Sequence, residues 1–583
     1  MRNIFVISVF SCIFAVSAVA QNLDPTVEVS REYEGKLVEV HKPAFTMAVP
    51  DSVTRFALDF DYSVFEKPYK GSYDFNPYLL NLKPAVSDNG ESSLFLRAGA
   101  GYQLHPTFDL VWSPELGKKR ILNLDIYGLH RSFVGNYLMI APKYSENGSV
   151  VMTRLPKDAA GAHKWFGYDL LSKAGATARA DFEKMAVDFG AGYYGLLQKD
   201  RSWVRGYNAL DANFGLSSKP ETVESLSFDL DVDYRYGQEK ADTSMILENL
   251  LGLELVVGPF NMKGHRLAFG FGGDLALYSG AFSAYAGEVH LVPKYVFKKN
   301  RLDISAGVKL SKLIRNAEKS GMFGSEEQYV YPDVNVSYIL LPKSLKVYFI
   351  AGGGNRLDTY SSLIESNHHI THQLRNLKLD YTVERISLTA GFDGRITDKF
   401  SYNLRGGYAN YANMMAYGIV IAETPRFFTE YLACQKAFAA VDWALALRDL
   451  RFDGTVAYDH YFGSKGVFEN GFESAAVLAP AALTGKAAVE YSWRDRIIAG
   501  ADCNFSSARK GAFMTPVPET DLFQGRDAVI PGYADVGVYA EYATARNISF
   551  WLRAGNLLNM TIQRNPLYAE KGVNCAVGIC LNL

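Results

Sequence analysis

The sequence predicts an all-β fold: a large transmembrane antiparallel β-barrel of about 20–22 strands with a short N-terminal periplasmic arm. Three observations carry that reading. The C-terminal stretch alternates, with Val573, Cys575, Val577, Ile579, Leu581 and Leu583 at odd positions and Asn574, Ala576, Gly578, Cys580 and Asn582 between them. A period of two gives a strand one apolar face and one small or polar face, so these odd residues mark a closing strand. The same alternation recurs from about residue 93 onward, and after the first twenty residues no uncharged run approaches the ~18 apolar residues of a membrane-crossing helix.

Residues 1–20 read as an export signal. Arg2 supplies the positive start, Ile4 to Val16 the apolar stretch, and Ala18-Val19-Ala20 a small-residue cleavage site before Gln21. Residues 21–92 differ in character from the rest of the chain. They hold Pro25, Pro43, Pro50, Pro68, Pro77 and Pro84 with little sustained alternation, which reads as an extended periplasmic arm.

Residues 93–583 then form a succession of alternating segments. Leu122, Leu124 and Ile126 alternate with Asn123, Asp125 and Tyr127. The clearest run sets Leu226, Phe228, Leu230, Val232, Tyr234 and Tyr236 against Ser225, Ser227, Asp229, Asp231, Asp233 and Arg235. One face is too acidic for a dry sandwich core and the other too apolar for water, which suits a strand between lipid and a wet lumen. Similar segments start at Leu302, Val334, Leu345, Ile386, Phe400, Leu450, Ala487, Val536 and Ile548. Short connectors such as Lys299-Asn300 and Thr397-Asp398-Lys399 read as periplasmic turns. Longer polar ones, Lys143 to Lys164, Asn316 to Gln328, Gly353 to Asn376 and Lys510 to Pro531, read as extracellular loops.

Composition narrows the function. With 60 basic and 62 acidic residues the net charge is −2, so no nucleic-acid partner is indicated. The 36 Tyr, 36 Phe and 50 Gly suit a barrel with aromatic girdles. Cys575 and Cys580, five apart on one strand, point to opposite faces, and no CxxC exists among Cys434, Cys503, Cys575 and Cys580, so they read as small strand residues.

Candidate sites are few. The ladder Asp229, Asp231 and Asp233 would line a lumen, either favouring cations or pairing with arginines such as Arg205 or Arg235. His368 and His372 would share a helical face with Glu365 and His369 nearby, but no further ligand cluster accompanies them, so neither metal nor cofactor is assigned. Gly270-Phe271-Gly272-Gly273 and Gly352-Gly353-Gly354 have no following helix to cradle a phosphate. Asp459 and His460 point to opposite strand faces and no GxSxG is present, so no enzyme chemistry is expected.

The run Leu552-Arg553-Ala554-Gly555-Asn556-Leu557-Leu558-Asn559, then Asn565-Pro566-Leu567-Tyr568, Gly572-Val573 and the final strand, resembles the closing hairpin of TonB-dependent receptors. Thr26-Val27-Glu28-Val29, just after the cleavage site, resembles a TonB box, a β-prone segment able to add to a sheet edge. Val29 to Pro43 and Asn76-Pro77-Tyr78-Leu79-Leu80 are similar to a subgroup of such barrels that lacks the usual plug. The resemblance implies an outer-membrane barrel that binds or transports a solute, embedded in outer-membrane lipid and coupled to TonB through Thr26–Val29. Two departures stand out: residues 21–92 are too few for a full plug, and the final residue is Leu583 rather than an aromatic. The alternatives are a passive porin, or a non-transporting scaffold that holds periplasmic or surface lipoproteins.

Overall fold

The computed structural model describes residues 93–583, apart from connecting residues 103–105, 115–121, 145–149, 158–160, 202, 220–226, 242–243, 263–264, 282, 317–326, 343, 371–378, 422–424, 464–478, 495, 517–522 and 546. The signal, the arm and the TonB-box-like residues Thr26 to Val29 therefore lie outside the described residues.

The chain begins with β1 (Leu94–Gly101), β2 (Thr107–Trp112) and β3 (Leu122–Leu138). An inserted hairpin comes next, β4 (Ile140–Tyr144) and β5 (Val150–Arg154). Then come β6 (Lys164–Asp181), β7 (Met185–Lys199), β8 (Val204–Ser218) and β9 (Phe228–Ala241). The wall continues through β10 (Ser244–Met262), β11 (His265–Gly280), β12 (Ala284–Lys299), β13 (Leu302–Arg315), β14 (Gln328–Leu341) and β15 (Leu345–Leu357). A short helix, α1 (Tyr360–Ser366), precedes β16 (Tyr381–Thr397), β17 (Phe400–Val420), β18 (Arg426–Ala446), β19 (Leu450–Phe462), β20 (Leu483–Trp493) and β21 (Ile497–Ser506). A second inserted hairpin, β22 (Arg509–Pro516) and β23 (Phe523–Ile530), leads to β24 (Tyr533–Ala545), β25 (Ile548–Gly555) and β26 (Asn574–Asn582).

Leaving out the two inserted hairpins, each strand pairs antiparallel with the next, and β26 pairs with β1, Leu96 opposite Leu581 and Ala98 opposite Ile579. The result is a closed 22-strand antiparallel β-barrel. Val573 and Leu583 flank the closing strand; Leu583 and Leu94 exchange main-chain hydrogen bonds of 2.8 Å in both directions.

The alternation seen in the sequence becomes an inside and an outside. On β11, Phe269, Phe271, Leu275 and Leu277 are 36%, 45%, 36% and 44% exposed on the outer face, whereas Ala276 and Tyr278 are buried within. On β26 the outer Val577 and Ile579 are exposed and the inner Cys580 is buried. So continuous an apolar outer surface is unsustainable in water and is what a bilayer requires of a transmembrane barrel.

One end carries shorter connections, including Asn300-Arg301 between β12 and β13, where Asn300 takes φ 54°, a left-handed conformation that asparagine tolerates. The opposite end carries 139–163, 358–380, 463–482, 507–532 and 556–573. Barrels of this class have short periplasmic turns and long extracellular loops, which assigns the two ends. The segment Lys143 to Lys164, expected as a polar loop, contains β5, and β15 runs to Leu357, beyond the expected start of the next loop at Gly353.

The long loops fold inward. β5 pairs in parallel with β23, Val151 opposite Val529, and β17 meets β22 at Val420 and Met514. The main buried cluster sits here, with Met152, Trp165, Leu363, Phe427, Phe513, Ile530, Leu567 and Tyr568 among its members. The apolar core of this barrel is therefore a cap over the extracellular mouth, with the wall strands shortest from β25 and β26 through β1 to the six-residue β2 and longest in the 21-residue β17 and β18.

At the closing seam the Trp551 indole lies inward across Gly99 and Gly578, with the Arg97 guanidinium 4.5 Å from its ring centroid. A Cβ at Gly578 would overlap both the Ala98 carbonyl oxygen and that indole. Gly578→Val is expected to weaken ring closure by at least the ~1–3 kcal/mol typical of overpacking. Electrophoresis with and without boiling reads this as loss of the fast-migrating folded form; unchanged mobility would refute the seam packing.

Candidate functional site: a lumen chamber beneath a loop cap

The lumen holds a chamber of about 1040 Å³. Its roof includes Tyr568 to Lys571 of the 556–573 loop, its side the end of α1 and the turn after it, Glu365 to His369, and its wall reaches down to Arg451 and Glu490. Since β19 starts at Leu450 on the short-turn end, the chamber runs from the cap well down the barrel.

The α1 segment is an ordered internal element. Thr359 caps the helix, its hydroxyl accepting from Ser362 N at 3.2 Å, and the Asn367 N–H returns to Leu363 O. Tyr360, Ser361, Leu363 and Ile364 are buried against the wall. Two inward-facing glutamates hold this face: Tyr360 donates to Glu239, which Arg205 also approaches at 3.4 Å, while Glu248 accepts from Tyr278 at 2.8 Å and from Ser361 N at 3.1 Å. At the ends of the segment Asp358 meets Arg356 at 2.8 Å and Asp380 meets Arg315 at 2.6 Å. Burial pushes the Asp358 carboxyl above its usual range against the pull of Arg356. Charges so buried persist only when paired and hydrogen-bonded, so each pairing fixes where α1 sits.

The turn after α1 carries the histidines. His368 Nδ1 lies 2.7 Å from Asp169. His369 stacks on Tyr568, ring centroids 3.5 Å apart and planes 12° from parallel, with its Nδ1 3.0 Å from Gln198 Nε2 and 3.4 Å from Asp200. Tyr568 in turn donates to Asp200 at 2.6 Å. Burial alone would raise the Asp200 carboxyl, but hydrogen bonds from His369 and Tyr568 hold it below the usual carboxylate range; burial raises the Tyr568 phenol. The helix ends at Ser366, so the helical His368–His372 face does not form, and His372 lies outside the described residues. Among the described residues no group of three His, Cys, Asp or Glu side chains is placed to hold a metal.

The 556–573 loop, which holds the residues of the closing-hairpin pattern, is built around Asn556. This residue takes φ 48°, receives Met560 N at 2.9 Å and donates to Met560 O and Lys571 O at 2.9 and 3.1 Å. Gln563 donates to Met152 O at 2.9 Å and Arg564 meets Asp535 at 2.7 Å, fastening the loop to the first inserted hairpin and to β24.

Asp229, Asp231 and Asp233 are exposed on the same strand face as Arg235 and Glu239, but none of them borders the chamber. The arginines expected to pair with them do so elsewhere: Arg235 binds Asp211 at 2.5 Å and Glu365 at 2.7 Å, and Arg205 goes to Glu239. Sequence reasoning missed Asp169, Asp200, Glu239 and Glu248. For Glu239 and Glu248 the available signal was a carboxylate at an inward position of an otherwise alternating strand.

No protein-family model matches the chain, and no curated protein sequence matches it. Solved structures do. The chain is similar to the copper transporter OprC, with TM-score 0.58 and 12% identity over 85% of this chain and 80% of that one. The FrpB iron transporter from Neisseria meningitidis gives 0.58 and 9% over 85% and 83%. The ferripyoverdine receptor of the outer membrane of Pseudomonas aeruginosa gives 0.59 and 10% over 85% and 72%. At these identities the likeness establishes the fold alone, a large closed β-barrel shared with these transporters and receptors.

Asp200 ties two loops and one strand end together, so Asp200→Asn is expected to loosen residues 562–570 by ~1.5–3 kcal/mol, the range for hydrogen bonds to a charged group. Because its folded pKa is depressed, its contribution is present above the ordinary carboxylate value of about 3.9 and fades as pH falls through the lower folded value. Hydrogen exchange of this loop, corrected for intrinsic rate, is expected to be protected at neutral pH in the parent protein and not in the variant; equal protection would contradict the tie.

Proposed function

We propose that this chain is an outer-membrane transport barrel that takes a solute of several hundred daltons through the capped chamber, without a full plug. The observation that carries the reading is the chamber of about 1040 Å³ inside a closed ring, roofed by loops that fold inward from the extracellular end. Ligand cavities of about 300–1,000 Å³ suit small solutes, and the lining offers both signs of charge, Lys173 and Lys486 with Asp453 and Glu490. The structural neighbours include proteins named as a copper transporter, an iron transporter and a ferripyoverdine receptor, which supports outer-membrane transport as the general class. In this reading residues 21–92 form a periplasmic arm whose Thr26–Val29 adds as a strand to a TonB-type partner.

Two measurements test it. In planar bilayers the protein is expected to conduct little in potassium chloride, and Tyr568→Ala to raise conductance severalfold by releasing the cap. A disulfide between Val151→Cys and Val529→Cys, made in the Tyr568→Ala background, is expected to silence it again until reduced. Steady large conductance of the parent protein, unchanged by the lock, would instead make it a passive porin. Separately, the periplasmic domain of TonB is expected to retain the full chain and to lose it with Val27→Pro, which removes a strand donor; unchanged or absent retention would contradict the coupling role.

A further inference from the structure

Among the described residues, one side of the periplasmic rim is basic. Across the turns from β12 to β21, the exposed basic side chains among the described residues include Lys299, Arg301, Lys399, Arg448, Arg494 and Arg496, set against Asp398 and Asp449, while Lys298 pairs with Asp303 at 3.6 Å. Ten strands at 4.7–4.9 Å spacing make this an arc of roughly 45 Å. Among the described residues Lys299, Lys399 and Arg496 have no ion-pair partner, and the Arg448–Asp449 contact is a long 3.9 Å with the arginine side chain 95% exposed. On the opposite side of the same rim the described turn after β6 is mixed: Asp181 is paired with Lys219 at 2.6 Å and Glu183 stands beside Lys184.

Position matters as much as charge. Arg448 comes directly after the exposed Leu447, and Arg494 directly after the exposed Trp493, whose ring lies 5.3 Å from its guanidinium. Lys399 lies three residues after Ile396, 70% exposed at the end of β16. Arg448, Arg494 and Lys399 thus stand just beyond side chains at the edge of the lipid-facing band, at the depth where headgroup phosphates lie. Basic groups left unpaired at that depth have an anionic surface as their natural partner.

We propose that this arc is a docking face for anionic phospholipid headgroups of the periplasmic leaflet. It is separate from the chamber and holds one side of the barrel against an anionic lipid shell. The full chain, reconstituted in vesicles of equal phosphatidylglycerol and phosphatidylcholine and released for native mass spectrometry, is expected to retain phosphatidylglycerol about threefold over phosphatidylcholine. The combined variant Lys399→Gln, Arg448→Gln, Arg494→Gln and Arg496→Gln is expected to fall to parity, whereas Lys184→Gln on the opposite side keeps the preference. Boiling-dependent gel mobility confirms that each variant is folded; should the combined variant not fold, Arg448→Gln with Arg494→Gln is expected to halve the preference. No preference in the parent protein, or one untouched by these substitutions, would overturn the proposal. So would loss of an acidic periplasmic protein, rather than of lipid, on the same substitutions.

Discussion

Everything in this molecule depends on the closing ladder between β1 and β26. In hydrocarbon no water is available for a free N–H or C=O, so a sheet can cross a bilayer only if its two edges find each other. Leu96 opposite Leu581 and Ala98 opposite Ile579 make that join. Small residues permit it, since Gly99 and Gly578 leave room for the inward Trp551 where any larger residue would push the strands apart.

Once the ring is closed, the two faces meet opposite demands. Outside, side chains such as Phe271 and Ile579 need only be apolar. Inside, the upper lumen is too wide for wall side chains alone to fill, and the long loops supply the missing matter. They bring backbone and charge with them, which explains why the inner wall carries carboxylates such as Glu239 and Glu248 directed at the α1 segment. The apolar cluster of the cap provides the favourable burial, and the buried ionic contacts set the register of the loops. A cap built this way has discrete attachment points, among them the Asp200–Tyr568–His369 group.

The fold was legible because a strand between lipid and lumen writes its environment into every second residue. The run from Leu230 to Tyr236 and the stretch from Val573 to Leu583 show this directly, and the closing-hairpin pattern at Asn556 proved to be a left-handed turn with its own hydrogen bonds. The chamber was not legible. Its parts, Asp169, Asp200, Tyr568 and the α1 turn, come together over separations of up to 368 residues, and no local period signals such a meeting. The histidines were noticed for their spacing, yet their partners are single carboxylates on β6 and beside β7. The acidic ladder at Asp229 to Asp233 was conspicuous in sequence because it was regular, but none of its three carboxylates borders the chamber.

Amide hydrogen exchange at the seam tests the account most directly. In lipid nanodiscs the amides of β1 and β26 are expected to be protected to the same degree as those of β17 and β18 in the wall. Exchange of either seam strand at the rate of a free sheet edge would mean an open sheet, and the lumen, cap and chamber would lose their foundation.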